Sequence, residues 1–181
     1  MVQKDLYTEK EIVAGCVKHE RRFQEILYRM HARKMYGICL GYAGERQLAQ
    51  DMLQEAFIKV FRKIDQYKGS GSLEGWIRKI VTNTAIDILR KNPVAGEFFS
   101  DDLMVIPDST KNKALSDMET KDLLAHIARL PEGARVIFNL YALEGMTHQE
   151  IADKLNISSG TSKSQYSRAR YLLQQWVDEP N

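Results

Sequence analysis

The chain has 181 residues, 44% hydrophobic and 28% charged, with a formal net charge of +2, which suits one ordinary soluble domain or two small ones. No run approaches the roughly 18 apolar residues of a membrane span, and the opening MVQKDLYTEK lacks the apolar stretch of a signal peptide, so membrane insertion and export are not expected. Cys16 and Cys39 sit in apolar patterns without a CxxC or Cys/His cluster. They read as two reduced core thiols of a cytoplasmic protein, with no metal site and no cofactor.

Thr8 to Glu11 spells T-x-x-E, a capping box that opens a short helix with Ile12, Val13 and Cys16 on its inner face. A second helical run carries Phe23, Ile26, Leu27, Met30, Met35, Ile38 and Cys39, mostly at steps of three and four, and ends between Gly41 and Gly44. A third starts near Glu45, with Ala49, Leu53, Ala56, Val60 and Ile64 as its buried stripe. Tyr67–Ser72 is a glycine- and serine-rich loop, and Ser72 caps the next helix, which runs to about Lys91 with Leu73, Ile77, Ile80, Thr84 and Ile88 inward. Trp76 reads as core.

From Asn92 to about Ser116 the periodicity fails, and prolines and acids mark a linker. Ser116 to Glu119 is a second capping box whose helix ends at Leu130-Pro131. Another helix spans about Glu132 to Glu144 and stops at Gly145. Thr147 to Glu150 is a third box, starting a short helix to Leu155, followed by the turn Asn156-Ile157-Ser158 and a last helix from about Ser159 to Val177. The expected fold is all-α, with two small helical domains joined by an acidic linker: residues 1–92, 93–115 and 116–181.

Charge is unevenly spread. Lys59 to Lys91 holds eight Lys/Arg against three Asp/Glu, Asn92 to Glu119 six acids against two bases, and Ser158 to Tyr171 three bases and no acid. A basic, acidic, basic order is a pattern that calls for an explanation. The segment Thr147 to Arg170 has helix-turn-helix grammar. Ala152 is small where two helices cross, Asn156 tolerates a left-handed turn, and Ile157 plugs the turn from inside. Ser162, Tyr166, Ala169, Leu173 and Trp176 form the inner stripe of the last helix. Lys163, Ser164, Ser167, Arg168 and Arg170 lie off it and suit a major groove. Ser159 and Thr161 offer backbone N–H groups to a phosphate at the helix start. A helical hairpin with a solvated basic face is the competing reading.

Leu130-Pro131, the run EGMTHQEIA from Glu144 to Ala152 and GTSKSQYSRAR from Gly160 to Arg170 resemble the sigma-factor domain that reads the minus-thirty-five promoter element. Asp51-Met-Leu-Gln-Glu-Ala-Phe57 is similar to the D-x-x-Q-E-x-F motif of the sigma domain that docks on the polymerase clamp. Trp76 to Lys91 resembles the helix of that domain that engages the minus-ten element. The chain has no room for the middle domain of larger sigma factors, so it resembles the compact extracytoplasmic-function (ECF) kind.

The resemblance implies a DNA-reading subunit of RNA polymerase, not an enzyme, with no catalytic residues. Its partners would be core RNA polymerase, promoter DNA and an anti-sigma factor. Asp51, Gln54, Glu55 and Ile58 would meet the polymerase. Arg78, Lys79, Asn83 and Arg90, with a loop at Lys68, Gly69 and Ser70 that holds an unstacked base, would act on the minus-ten element. The residues named on the last helix would read the minus-thirty-five element, and the acidic linker would run toward the polymerase's nucleic-acid channel. Two departures bear on upstream preference. Ser162 stands where an apolar residue is common, and Tyr141 where a basic contact sometimes sits. A helix-turn-helix regulator acting without polymerase would leave the Asp51 strip and the second basic segment unexplained.

Overall fold

The computed structural model describes residues 7–91 and 120–178. These residues form helices and no strand, and none of the helices is long and apolar enough to cross a membrane. The linker and the Ser116 box lie outside the described residues.

The first helix, α1 (Glu9–Val17), opens on the box seen in the sequence: the Thr8 hydroxyl accepts from the Glu11 N–H and the Glu11 carboxylate accepts from the Thr8 N–H. Such reciprocal caps satisfy two donors that a helix start leaves orphaned. α2 (Arg21–Ala43) packs on α1 at Gly15, where an added Cβ would lie 2.1 Å from the Phe23 ring. Only a glycine admits that approach. α2 carries on through Gly41 and stops at Gly44, which has φ +74°. α3 (Arg46–Lys63) buries Ala49, Leu53, Ala56 and Val60, with Ile64 buried just past its end. Burying the leucine, valine and isoleucine of this stripe contributes roughly 1.5–3 kcal/mol each, and each alanine methyl less than about 1 kcal/mol.

α4 (Leu73–Arg90) follows the loop, and its Gly75 N–H donates to Ser72 Oγ at 3.1 Å. Its inner stripe is Leu73, Ile77, Val81, Ala85 and Leu89, with Thr84 also buried, whereas Ile80 and Ile88 are only half-buried. Ile80 and Ile88 were therefore placed one position off the stripe. Trp76 is half-buried against Tyr67, ring centroids 5.7 Å apart, and not in the core. Cys16 and Cys39 are free and fully buried, and burial pushes their thiols up to about 11 and about 12.

α5 (Thr120–Arg129) leads through Pro131 into α6 (Glu132–Phe138), and Arg135 Nη1 donates to the Leu130 carbonyl at 2.7 Å, capping the end of α5. α6 does not stay α-helical to Glu144 as the sequence suggested. It widens into a π turn over Asn139–Leu143 and ends before Gly145, with φ +70°. α7 (His148–Leu155) and α8 (Ser159–Asp178) complete the chain. Ile127, Leu130, Ala134, Phe138, Ala169 and Leu173 form one core cluster, with Tyr166 and Trp176 packed against it. Backbone contacts divide the chain into two compact units, Met1–Leu40 with Arg46–Ala85, and Gly41–Glu45 with Ile86–Asn181.

Candidate nucleic-acid and partner interfaces

In the first unit, Asp51, Gln54, Glu55 and Ile58 are all exposed along α3, and Ile58 is 41% accessible. A groove of about 800 Å³ opens beside them, lined by Tyr28, Tyr36, Phe57 and Phe61 as well as Asp51, Gln54 and Ile58. Glu55 does not line it. Tyr28 stands edge-on to Phe57 at 4.7 Å and is itself 40% exposed. The polar strip is thus one lip of an aromatic groove. The sequence showed the strip but missed the wall from α2, because Tyr28 lies off that helix's apolar stripe and gains its role only from α3.

The second candidate surface is α4 with its preceding loop. Lys79 and Arg90 are exposed and Asn83 and Arg78 half-buried. At 100° per residue, Lys79, Asn83 and Arg90 fall within about 40° of one another on the helix. Lys34 pairs with Glu74 at the start of α4, and this hydrogen bond, with Arg78 and His31 contributing, holds the Glu74 carboxyl below the usual range. Lys68, Gly69 and Ser70 are exposed at the loop tip. Gly69 and Gly71 have φ +74° and +91°, and an added Cβ at either would meet nothing within 4 Å. Tyr67 Oη donates to the Gly71 carbonyl at 2.9 Å and closes the loop.

The third is the helix-turn-helix of α7 and α8. Thr147 and Glu150 form the anticipated box, and the Thr147 N–H keeps the Glu150 carboxyl low. Ile151, Ala152 and Leu155 are buried, and Asn156 takes the left-handed conformation at φ 57°, ψ 49°. Ile157 is half-buried in the turn. On α8, Lys163 and Ser167 are exposed and Ser164, Arg168 and Arg170 half-buried. By helical geometry Lys163, Ser167 and Arg170 share a face, with Ser164 and Arg168 beside it. The Ser164 hydroxyl donates to the Thr161 carbonyl at 3.0 Å, which leaves its lone pairs as acceptors.

Thr161 departs from the expectation. It is buried, its N–H donates to Ser158 Oγ at 2.9 Å, and the two hydroxyls lie 2.8 Å apart. Ser158 is therefore the cap, and the Thr161 N–H is taken, not offered to a phosphate. Ser159 is half-buried in the first turn. Ser162 is fully buried and its hydroxyl lies 2.9 Å from His148 Nδ1, so a polar residue is accommodated on the inner stripe because α7 supplies its partner. Burial, and then Lys163, push the His148 pKa down from its ordinary 6.5. Tyr141, in the π turn, stacks on His148 at 4.4 Å and touches Tyr166 at 4.4 Å while remaining 37% exposed. This aromatic patch was not legible from spacing, since the π turn that presents Tyr141 has no sequence signature.

Comparison with known proteins matches two family models to the chain. Residues 27–93 match the family model Sigma-70 region 2, and residues 120–173 match Sigma-70, region 4. ECF RNA polymerase sigma factor SigE of Mycolicibacterium smegmatis is 30% identical over 83% of this chain, which spans only 60% of that relative. RNA polymerase sigma-H factor of Pseudomonas aeruginosa is 28% identical over 91% of each chain. The solved sigma factor RpoE of Bartonella quintana, in complex with the anti-sigma factor NepR, aligns over 86% of this chain and 98% of its own at 21% identity and TM-score 0.48, too loose to place residues.

Proposed function

The chain belongs to the ECF sigma factors of RNA polymerase, and from that premise we propose how it divides the work of promoter recognition. As a member of that family it serves promoter-specific transcription initiation. In the proposed scheme residues 1–92 dock on the polymerase clamp through Asp51, Gln54, Glu55 and Ile58 and act on the minus-ten element. Residues 116–181 read the minus-thirty-five element as duplex DNA, and residues 93–115 link the two. The chain performs no chemistry of its own.

The observation that carries this reading is the presence of unlike faces on neighbouring helices, α3 and α4, of residues 1–92. A polar strip beside an aromatic groove suits a protein partner, whereas the Lys79–Asn83–Arg90 face suits phosphates and base edges. The helix-turn-helix then supplies the duplex reader, with Lys163, Ser167 and Arg170 on one face. The test is affinity for core polymerase. The Asp51→Ala, Gln54→Ala double variant and Tyr28→Ala should each bind core at least about tenfold more weakly while unfolding at the wild-type temperature. Undiminished core affinity in both would overturn the docking assignment.

The same family reading proposes a cytoplasmic location and an anti-sigma factor that covers one of these faces. Unrestrained promoter activity whenever the chain is expressed in its own host would count against that partner.

A further inference from the structure

Beside the Tyr67–Ser72 loop lies a cavity of about 370 Å³ that the minus-ten reading does not use in full, because half of its wall comes from α1. Glu9, Lys10 and Val13 line one side, and Tyr67, Lys68 and Gly71 the other. Its size falls within the range of small-molecule sites, roughly 300–1,000 Å³. We propose that Glu9 is a specificity residue of this cavity, accepting a hydrogen bond from the exocyclic amino group of one unstacked base. The inference rests on the reading of the loop as a base-capturing loop and adds to it the residue that chooses the base.

The argument starts from one proton. The Tyr67 hydroxyl has a single hydrogen and two acceptors in reach, the Gly71 carbonyl at 2.9 Å and Glu9 Oε1 at 3.3 Å. Gly71 is the nearer, and donation to it closes the loop. The exposed Glu9 carboxylate then keeps acceptor lone pairs beside the cavity that a base can take from water. Lys10 and Lys68 flank the same space and suit the phosphates on either side of a captured nucleotide. A carboxylate set between phosphate-binding lysines repels a DNA strand unless it receives a hydrogen bond from it. An unstacked cytosine, adenine or guanine offers an exocyclic amine for that bond, the pairing by which acidic side chains read cytosine in duplexes. Thymine has no such amine, and its lone N–H sits between two carbonyl oxygens that face the carboxylate with like polarity. The geometry therefore selects amino-bearing bases and rejects thymine. Gly69 and Gly71, with open space where side chains would stand, let the strand approach the loop backbone.

The test uses holoenzyme reconstituted from core polymerase and the full chain, on a promoter mapped from its own transcript starts. The probes are non-template single strands in which each position of the downstream element carries in turn an amino-bearing base, thymine or an abasic site. Wild-type holoenzyme should show one position where amino-bearing bases bind about tenfold tighter than thymine. Glu9→Ala should bring that ratio to within about twofold, leaving other positions and core affinity unchanged. Glu9→Gln, which keeps an acceptor, should retain part of the ratio. If no position distinguishes a base from an abasic site, the base-capture reading itself fails. If a position is discriminated but Glu9→Ala leaves its ratio unchanged, or thymine is the favoured base there, base capture stands and the assignment of Glu9 is overturned.

Discussion

The helix-turn-helix of α7 and α8 and the loop-and-helix at α4 both carry lysine and arginine at their surface, but they are held in opposite ways. In the first, the polar groups around the turn find partners at home. Thr147 and Glu150 cap one another, Asn156 fills the left-handed position, Ser158 takes the Thr161 N–H, and His148 meets Ser162. In the second, the loop is tied at its base by Tyr67 to Gly71 and by Ser72 to Gly75, while Gly69 and Gly71 have no neighbours where side chains would be. A preorganised reader loses little freedom on meeting a rigid duplex. A loop tied only at its base adapts to a strand that has left its stack. The contrast is what the proposed division requires, duplex reading in the first module and strand capture in the second.

The contrast breaks most severely if the rigid module is overpacked. Ala152 is 3% exposed where α7 crosses its neighbours, and Ala152→Leu should destabilise the second unit by about 1–3 kcal/mol. Thermal unfolding would show it, and duplex binding should fall while core affinity persists. A strain of similar size probes the loop: Gly71→Val forces a β-branched residue to φ +91°, at a cost of roughly 1–3 kcal/mol. It should impair strand opening and spare closed-complex binding. Asn156 sharpens the other side. Asn156→Ala should lower stability by about 1 kcal/mol, whereas Asn156→Gly should be close to neutral, because only the former resists the left-handed turn. Chemical denaturation of the three proteins compares them directly.

The smallest effect concerns pH. Burial and Lys163 lower the His148 pKa below its ordinary 6.5, so the unfolded chain binds the proton more tightly than the folded one. This contribution is intact above about pH 6.5 and is lost as pH falls through the lowered folded value. Unfolding temperature should therefore drop on acidification from about pH 7 to 5. His148→Gln, which can still bond Ser162, should flatten the drop, and Lys163→Ala should lessen it. A wild-type slope unchanged in both variants would show that another group is responsible.

Much of this was legible in the sequence because caps and turns are local chemistry. Thr8, Thr147 and Asn156 announce their backbone geometry by side-chain type and spacing alone. The stripe of α3 was equally plain. What was missed depends on neighbours remote in sequence or on small register choices. Ile80 and Ile88 compete with Val81 and Leu89 one residue away, and a period of 3.6 does not separate them over five turns. The sequence left the Thr161 N–H open to a phosphate, and only the folded turn shows that Ser158 holds it. Tyr28 and Tyr141 acquire their settings from α3 and from His148, which no spacing rule within their own helices predicts.

The division of labour is tested most directly by pairing two variants in two assays on one mapped promoter. Band shift with duplex promoter measures closed-complex binding, and permanganate reactivity of thymines with holoenzyme measures strand opening. Lys163→Ala should weaken duplex binding by roughly 1–3 kcal/mol, about five- to 150-fold, and relax preference at the upstream element. Asn83→Ala should leave duplex binding nearly intact and reduce thymine reactivity. If Lys163→Ala spares duplex binding while Asn83→Ala abolishes it, the two modules do the reverse of what their construction implies.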